Sequence, residues 1–369
     1  MASTPRQHDP AKPPAGAAPQ APERILIIRP SALGDVCRTT PVLASLRAAF
    51  PAARIDWLVH EAFADAIRAH PALTGLIPFA RRAMGRWWTP AGLIVTRDLI
   101  ARLRAPRYDL VLDCQGLARS ALFTRLTGAP RRIGHADARE GAPLAYTTRV
   151  AAAPGDSPHT VDRMLGLVAP LGIPTPASPD TRLYAPPDDL AALADDTRLA
   201  CGVARYVLFA PTSRWPGKRW PIDRFIDLAR GLSDPSLRVD AIAVVAAGGE
   251  RDQCSPLLAP IPGAPPIIDL VGKTTVGRLM AIVSRAALVV ASDSAALHMA
   301  VGFDRPLVGL FGPTDVARVG PYRRDADVIQ HLQPGDILDH KNEPLGRALM
   351  ERISVDEVLA ACAARLRSS

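Results

Sequence analysis

The sequence predicts an α/β protein made of two doubly wound halves that face a central cleft. Three observations carry this. Short apolar runs alternate with segments of helical spacing from Arg24 to Gly134, the pattern of a parallel sheet with crossover helices. A stretch with five prolines, Pro174–Pro187, interrupts the pattern and reads as a connection between domains. The alternation then restarts at Tyr206. Length agrees, because 369 residues suffice for two domains of ordinary size.

The elements follow in order. Residues 1–23 are rich in Pro and Ala with no apolar segment, which predicts a disordered tail rather than a signal peptide. Arg24–Arg29 (RILIIR) is a strand, Pro30–Asp35 a loop and Val36–Phe50 a helix. Ile55–Val59 is a strand, Glu61–Ala69 a helix and Leu76–Phe79 a third strand. A loop enters a helix within Gly85–Arg104. Tyr108–Asp113 is a strand, with a helix to Leu126, and Arg131–Gly134 a short strand. His159–Leu171 is helical. The first domain is thus 24–173, the connection 174–187 and the second domain 188–353. In the second, strands are expected at Tyr206–Ala210, Val239–Ala246 and Ile267–Leu270, and helices at Ile222–Leu232 and Thr275–Ser284. An amphipathic helix, Ser354–Arg367, closes the chain within 354–369.

Ala287–Thr314 is the most informative stretch. It reads as strand, helix, strand, with the helix starting after Ser292–Asp293–Ser294, where Asp293 or Ser294 suits a cap. A helix start at the carboxyl end of a parallel strand is where open α/β sheets bind ligands. Its unpaired N–H groups favour an anion, and small residues at 294–296 admit a phosphate.

Other strand ends would face the same cleft. Gly34 allows close backbone approach. Asp35 at a helix start suits either a cap or a general base. The loop Pro211–Pro221 offers Thr212, Ser213 and Lys218 to a diphosphate, with Trp215 and Trp220 to stiffen it or stack on a ring. In Ala246–Glu250, two glycines leave room for a ligand and Glu250 suits two adjacent hydroxyls, as on a ribose. Gln115 and Arg119, after the strand that ends at Asp113, are polar at a cleft edge and are expected acceptor contacts.

Composition excludes several classes. No apolar run reaches the roughly 18 residues of a membrane span. The five cysteines are scattered without a CxxC pair, which predicts a reducing compartment and no zinc or disulfide framework. HExxH is absent, and Pro30–Asp35 lacks the GxGxxG dinucleotide pattern. The net charge is +8; Arg81–Arg139, with 12 Arg, no Lys and 4 Asp, has the same net charge by itself. That stretch suits an anionic lipid, saccharide or membrane face, and no nucleic-acid motif accompanies it. Arg81, Arg82 and Arg86, beside Trp87 and Trp88, are the expected acceptor-side contacts.

Taken together, these segments resemble glycosyltransferase family 9, the lipopolysaccharide heptosyltransferases. The matching segments are ILIIRPSALGDVCRTTPVLASLR from Ile25, LDCQGLARSALFTRLTGAPRRIG from Leu112, PTSRWPGKRWPIDRFIDLA from Pro211, AAGGERD from Ala246, and Val271–Thr314. The resemblance implies a GT-B fold and inverting, metal-independent transfer of heptose from ADP-heptose to the lipopolysaccharide inner core, with no cofactor. It also implies a lipid-linked anionic saccharide acceptor at the inner face of the cytoplasmic membrane. Asp35 falls on the family's proposed base. Lys218 and Thr212 or Ser213 fall on diphosphate contacts, Glu250 on a ribose contact and Asp293 on a donor-sugar contact. Ser294, Ala295, Ala296, Leu297 and His298 fall on the helix start by the phosphates. Ala295 stands where the family usually has Gly, and His331–Arg347 shows no family pattern. The alternatives are a related enzyme using another nucleotide sugar or acceptor, and a catalytically silent nucleotide-sugar-binding protein.

Overall fold

The computed structural model describes residues 21–81, 85, 88–151, 158–194 and 204–368. The expected tail up to residue 20, Arg82, Arg86, Trp87 and Cys201 therefore lie outside the described residues.

Each half is a six-stranded parallel sheet. In the first, β1 (Arg24–Ile28), β2 (Arg54–His60), β3 (Gly75–Phe79), β4 (Leu110–Asp113), β5 (Arg131–His135) and β6 (Thr148–Val150) lie in the order 3-2-1-4-5-6. In the second, β7 (Tyr206–Ala210), β8 (Ala241–Val244), β9 (Ile267–Asp269), β10 (Leu288–Ser292), β11 (Leu307–Leu310) and β12 (Val328–Ile329) lie in the order 12-11-10-7-8-9. Renumbered from its own first strand, the second order equals the first. The order of strand addition reverses between β1 and β4 and between β7 and β10, and such switch points open crevices at strand carboxyl ends. The central strands are apolar without alternation because helices cover both faces; every residue of β7 and β10 is buried.

The helices are α1 (Leu33–Arg38), α2 (Thr40–Ala49), α3 (Pro90–Arg104), α4 (Ala118–Leu126), α5 (Thr160–Leu165), α6 (Pro187–Ala194), α7 (Ile222–Gly231), α8 (Arg251–Cys254), α9 (Val276–Arg285), α10 (Ala295–Gly302), α11 (Val316–Val319), α12 (Glu343–Met350) and α13 (Val355–Ser368). The single helix expected over Val36–Phe50 is two, divided at Thr39. Pro41 is the reason: it donates no N–H, and its ring would crowd the Cys37 carbonyl in a continuous helix. The Thr40 hydroxyl takes that carbonyl at 3.0 Å instead. The helix expected over Glu61–Ala69 is a tighter 3-10 segment, Glu61–Ala66, and His159–Leu171 is α5 followed by a 3-10 stretch. Two short edge strands, β6 and β12, and helix α12 were not expected.

The proline-rich connection is pinned rather than loose. The Leu183 amide donates to the Gly302 carbonyl at 2.9 Å, and the Leu183 side chain lies so close that a Cβ at Gly302 would meet it at 2.5 Å. The last helix, α13, packs on α7 and on β10 and β11, and buries Val358, Cys362 and Leu366 in the core of the second half. No helix among the described residues is long and apolar enough to cross a membrane.

Candidate active site

The two crevices meet in one cavity of about 610 Å³. Asp35, Gly34 and Arg38 line it from the first half. Thr212, Ser213, Trp215, Lys218, Glu250, Asp293, Ser294, Ala295, Ala296 and His298 line it from the second. The halves touch here: a Cβ on Gly34 would lie 2.7 Å from His298 Cδ2 and 3.6 Å from Ala295 Cα. Gly34 is thus required by close approach between α1 and α10, not by a left-handed backbone.

Asp35 sits in the first turn of α1, and its Oδ2 accepts from the Ala32 amide at 3.2 Å. It is therefore a cap, as one reading of the sequence had it. It is also held by two guanidiniums. Arg29 Nη2 lies 3.0 Å from Oδ2, and Arg38 Nη2 pairs with Oδ1. Burial pushes the Asp35 pKa up, but the charges of Arg29 and Arg38, with the bonds from Arg38 and Ala32, outweigh it and bring it down to about 2. The group is an anion at neutral pH. Neither arginine was singled out in the sequence; the signal was an Arg at the carboxyl end of the first strand and another three residues after Asp35.

On the opposite wall, Lys218 Nζ donates to Asp293 Oδ2 at 2.6 Å, and the Thr314 hydroxyl joins the same oxygen at 3.0 Å. Thr212 donates to Glu250 Oε2 at 2.8 Å, and the Ala247 amide reaches that oxygen at 3.1 Å. Both bonds use one oxygen of Glu250, which leaves the other to neighbouring hydroxyls. Trp220 is buried and donates its indole N–H to the Ile353 carbonyl at 3.0 Å, so it anchors the loop while Trp215 faces the cavity. The segment without a family pattern supports that loop from behind. His340 packs edge-on against Trp215 at 5.2 Å between centroids. Gly346 in α12 approaches Gly217 so closely that a Cβ would meet its carbonyl oxygen at 2.5 Å.

The expected side-chain cap of α10 is not made. Ser294 is the N-cap residue but its side chain makes no capping bond, and Asp293 is committed to Lys218 and Thr314. Ser294 Oγ, His298 Nδ1, Arg38 Nε and Arg29 Nε are all buried with no hydrogen-bond partner among the described residues. Buried unpaired polar atoms cost roughly 1–3 kcal/mol each, so their concentration around one cavity marks it as a place for a polar ligand. His298 is neutral: burial first, then the charge of Arg38, lowers its pKa to about 3.

Several expected contacts lie elsewhere. Leu297 is fully buried in the core, because its position on α10 turns it toward the sheet. Asp113, at the end of β4, is fully buried. It accepts from the amides of Gln115 and Gly116 and from the hydroxyls of Ser120 and Tyr146, so it serves as a structural acceptor. Gln115 Oε1 accepts from the Ser31 amide at 3.3 Å and braces the Asp35 loop without lining the cavity. Arg81 and Arg119 are exposed and outside the cavity. Among the described residues, no group of three or more His, Cys, Asp or Glu is arranged to hold a metal ion.

Two facing Rossmann-type domains, with Lys218 and the α10 start on one wall of the shared cavity and Asp35 on the other, define the architecture as that of a GT-B glycosyltransferase. A family model for glycosyltransferase family 9 (heptosyltransferase) matches residues 96–344, and the chain belongs to that family. Lipopolysaccharide heptosyltransferase 1 of Pseudomonas aeruginosa is 34% identical over 311 residues, covering 82% of each protein. A solved heptosyltransferase of E. coli with ADP superposes with a TM-score of 0.71 at 26% identity, over 89% of this chain and 99% of that one. The same enzyme with ADP-2-deoxy-2-fluoro heptose gives a TM-score of 0.68 at the same identity and coverage.

Proposed function

We propose that this chain transfers heptose from ADP-heptose to the inner core of lipopolysaccharide, with inversion and without a metal ion, at the cytoplasmic face of the membrane. The observation that carries this reading is that Asp35 of one half and Lys218 with the α10 start of the other line one cavity. The donors named in the related structures support the choice of nucleotide sugar.

The chemistry follows from the two walls. An acceptor hydroxyl attacks C1 of the heptose from the face opposite the diphosphate. Its proton passes to the Asp35 carboxylate. The C1–O bond breaks, and its electron pair stays on the departing ADP. Lys218 and the unpaired amides at the start of α10 stabilise that charge. They supply the neutralisation that a metal would otherwise provide. Glu250 takes the ribose hydroxyls, and Thr212 and Ser213 the diphosphate. The exposed arginines Arg81 and Arg119, with Arg82 and Arg86, serve the anionic acceptor or the membrane that carries it.

The test is transfer to core lipopolysaccharide that lacks heptose, in the presence of a chelator, with ADP-heptose and a panel of UDP-sugars as donors. The reading expects a heptose mass increment from ADP-heptose alone. Transfer from a UDP-sugar only, or no transfer from any donor, contradicts it.

A further inference from the structure

Asp35 is more constrained than its role as a base requires. A carboxylate has about four acceptor positions. Oδ2 is filled from two sides, by Arg29 Nη2 at 3.0 Å and the Ala32 amide at 3.2 Å. Among the described residues, Oδ1 receives only Arg38 Nη2. The remaining acceptor position is therefore on Oδ1, and the guanidinium of Arg38 decides where it points. The two arginines differ in their second bonds. Arg29 is anchored inside the first half, on the Cys114 carbonyl. Arg38 reaches across the cleft, and its Nη1 donates to the Val319 carbonyl of the second half at 3.0 Å. Its side chain is 11% exposed, and its Nε is buried without a partner.

We propose that Arg38 is the positioning residue of the base: it aims Asp35 Oδ1 into the cleft and, through Val319, ties that aim to the seating of the second half. The proposal deepens the reading of Asp35 as the base and rests on it. The geometry explains why one Arg bonds groups from both halves. Asp35 points correctly when α11, which carries Val319, sits against α1. The segment around Val319 is itself held to the first half. His159 Nε2 meets the Gly320 carbonyl at 3.0 Å, the Thr160 hydroxyl donates to the Arg318 carbonyl at 2.9 Å, and the Tyr322 hydroxyl donates to Asp162 Oδ1 at 2.5 Å. Arg38 is the member of this set that connects the seam to the reacting carboxylate.

The charged and titratable groups around the pair are Arg29 at the end of β1, Cys37 on α1, His159 before α5, and Asp293 and His298 on the opposite wall. The imidazoles of His159 and His298 are both shifted down by burial. Arg29 remains in any Arg38 variant, so removing Arg38 withdraws one of two cations and raises the Asp35 pKa without taking it to that of an unpaired buried acid.

The experiment compares Arg38→Gln and Arg38→Lys in the full chain. The carboxyl 13C resonance of Asp35, identified by its loss in Asp35→Asn, is titrated alongside steady-state kinetics with ADP-heptose. Arg38→Gln is expected to move the titration up by about one unit or more and to lower kcat about tenfold or more, with the donor KM within about threefold. Arg38→Lys keeps the charge but not the planar fork; its titration stays near wild type while kcat falls less than in Arg38→Gln. Unmoved titration in folded Arg38→Gln, or a raised donor KM at unchanged kcat, overturns the proposal. Should Arg38→Gln not fold, Arg38→Lys decides alone: wild-type kcat overturns it and a lowered kcat with unmoved titration supports it. Wild-type turnover in Asp35→Asn instead overturns the base reading, and Arg38 as its positioning residue with it, whatever the titration shows.

Discussion

The two halves share one strand order and differ at their carboxyl edges. The second half carries the proposed donor wall: Lys218 bonded to Asp293, Glu250 bonded to Thr212, and a helix start whose Ser294 hydroxyl has no partner among the described residues. The first half carries a single carboxylate between two guanidiniums. Its remaining polar surface lies outside the cavity, as exposed arginines on and near α3 and α4. The difference shows that the strand order fixes where a site can lie, while the loop residues set its chemistry. On the proposed function it also divides labour, with donor recognition assigned to one half and proton removal and acceptor recognition to the other.

The largest effect that division predicts is on turnover. Asp35→Asn keeps the size and the capping amide contact but cannot take a proton. Turnover should fall by on the order of 10²–10⁴, measured by product formation from ADP-heptose with folding checked by circular dichroism. Wild-type turnover would break the comparison at its first-half end.

Lys218→Ala tests the other half. A charge-assisted bond to the diphosphate contributes roughly 1.5–3 kcal/mol, so ADP affinity should fall about tenfold to a hundredfold by calorimetry. The partner Asp293, left without its cation, adds repulsion of the same sign. Unchanged affinity in the folded variant would move the donor site away from this wall.

Much of this was legible in the sequence, for identifiable reasons. Strands buried on both faces give unbroken apolar runs, so β1, β7 and β10 could be read directly, as could the close backbone approach at Gly34. Leu297 was misplaced because helical position, not proximity in sequence to a site, decides which face a residue takes. The break at Thr39 depended on Pro41 and was passed over in a helix-like run. Arg29 and Arg38 were invisible as partners of Asp35, since one belongs to a strand end and the other bonds the second half through a backbone carbonyl. Helix α12 could not be read because its role, bracing Gly217 through Gly346, exists only in three dimensions.

A smaller effect sharpens the seam between the halves. His70, His135 and His298 are each lowered by burial, to about 4, 4 and 3. The unfolded chain binds protons at these imidazoles near pH 6.5 and the folded chain does not, so stability is fully present above pH 6.5 and is lost as pH falls toward 4. His298→Gln should flatten part of that decline in Tm between pH 6.5 and 4.5. An equal slope in wild type and variant would show that His298 is not buried neutral between the halves.

The smallest expected effect concerns the exposed cations. Replacing Arg81 and Arg119 by Gln should weaken association with vesicles of anionic lipid by a few-fold for each residue, about 1 kcal/mol apiece near the surface, and leave ADP binding alone. Unchanged vesicle association together with unchanged acceptor turnover would reduce the arginine excess of the first half to composition.

The division of labour itself is tested most directly by ADP calorimetry on Asp35→Asn and Lys218→Ala side by side, in the full chain. The account predicts that Asp35→Asn binds ADP at least as tightly as wild type, because it removes a negative charge from the cavity, while Lys218→Ala binds it about tenfold or more weakly. Equal weakening in both variants, or weakening in Asp35→Asn alone, would contradict the assignment of donor binding to one half and the base to the other.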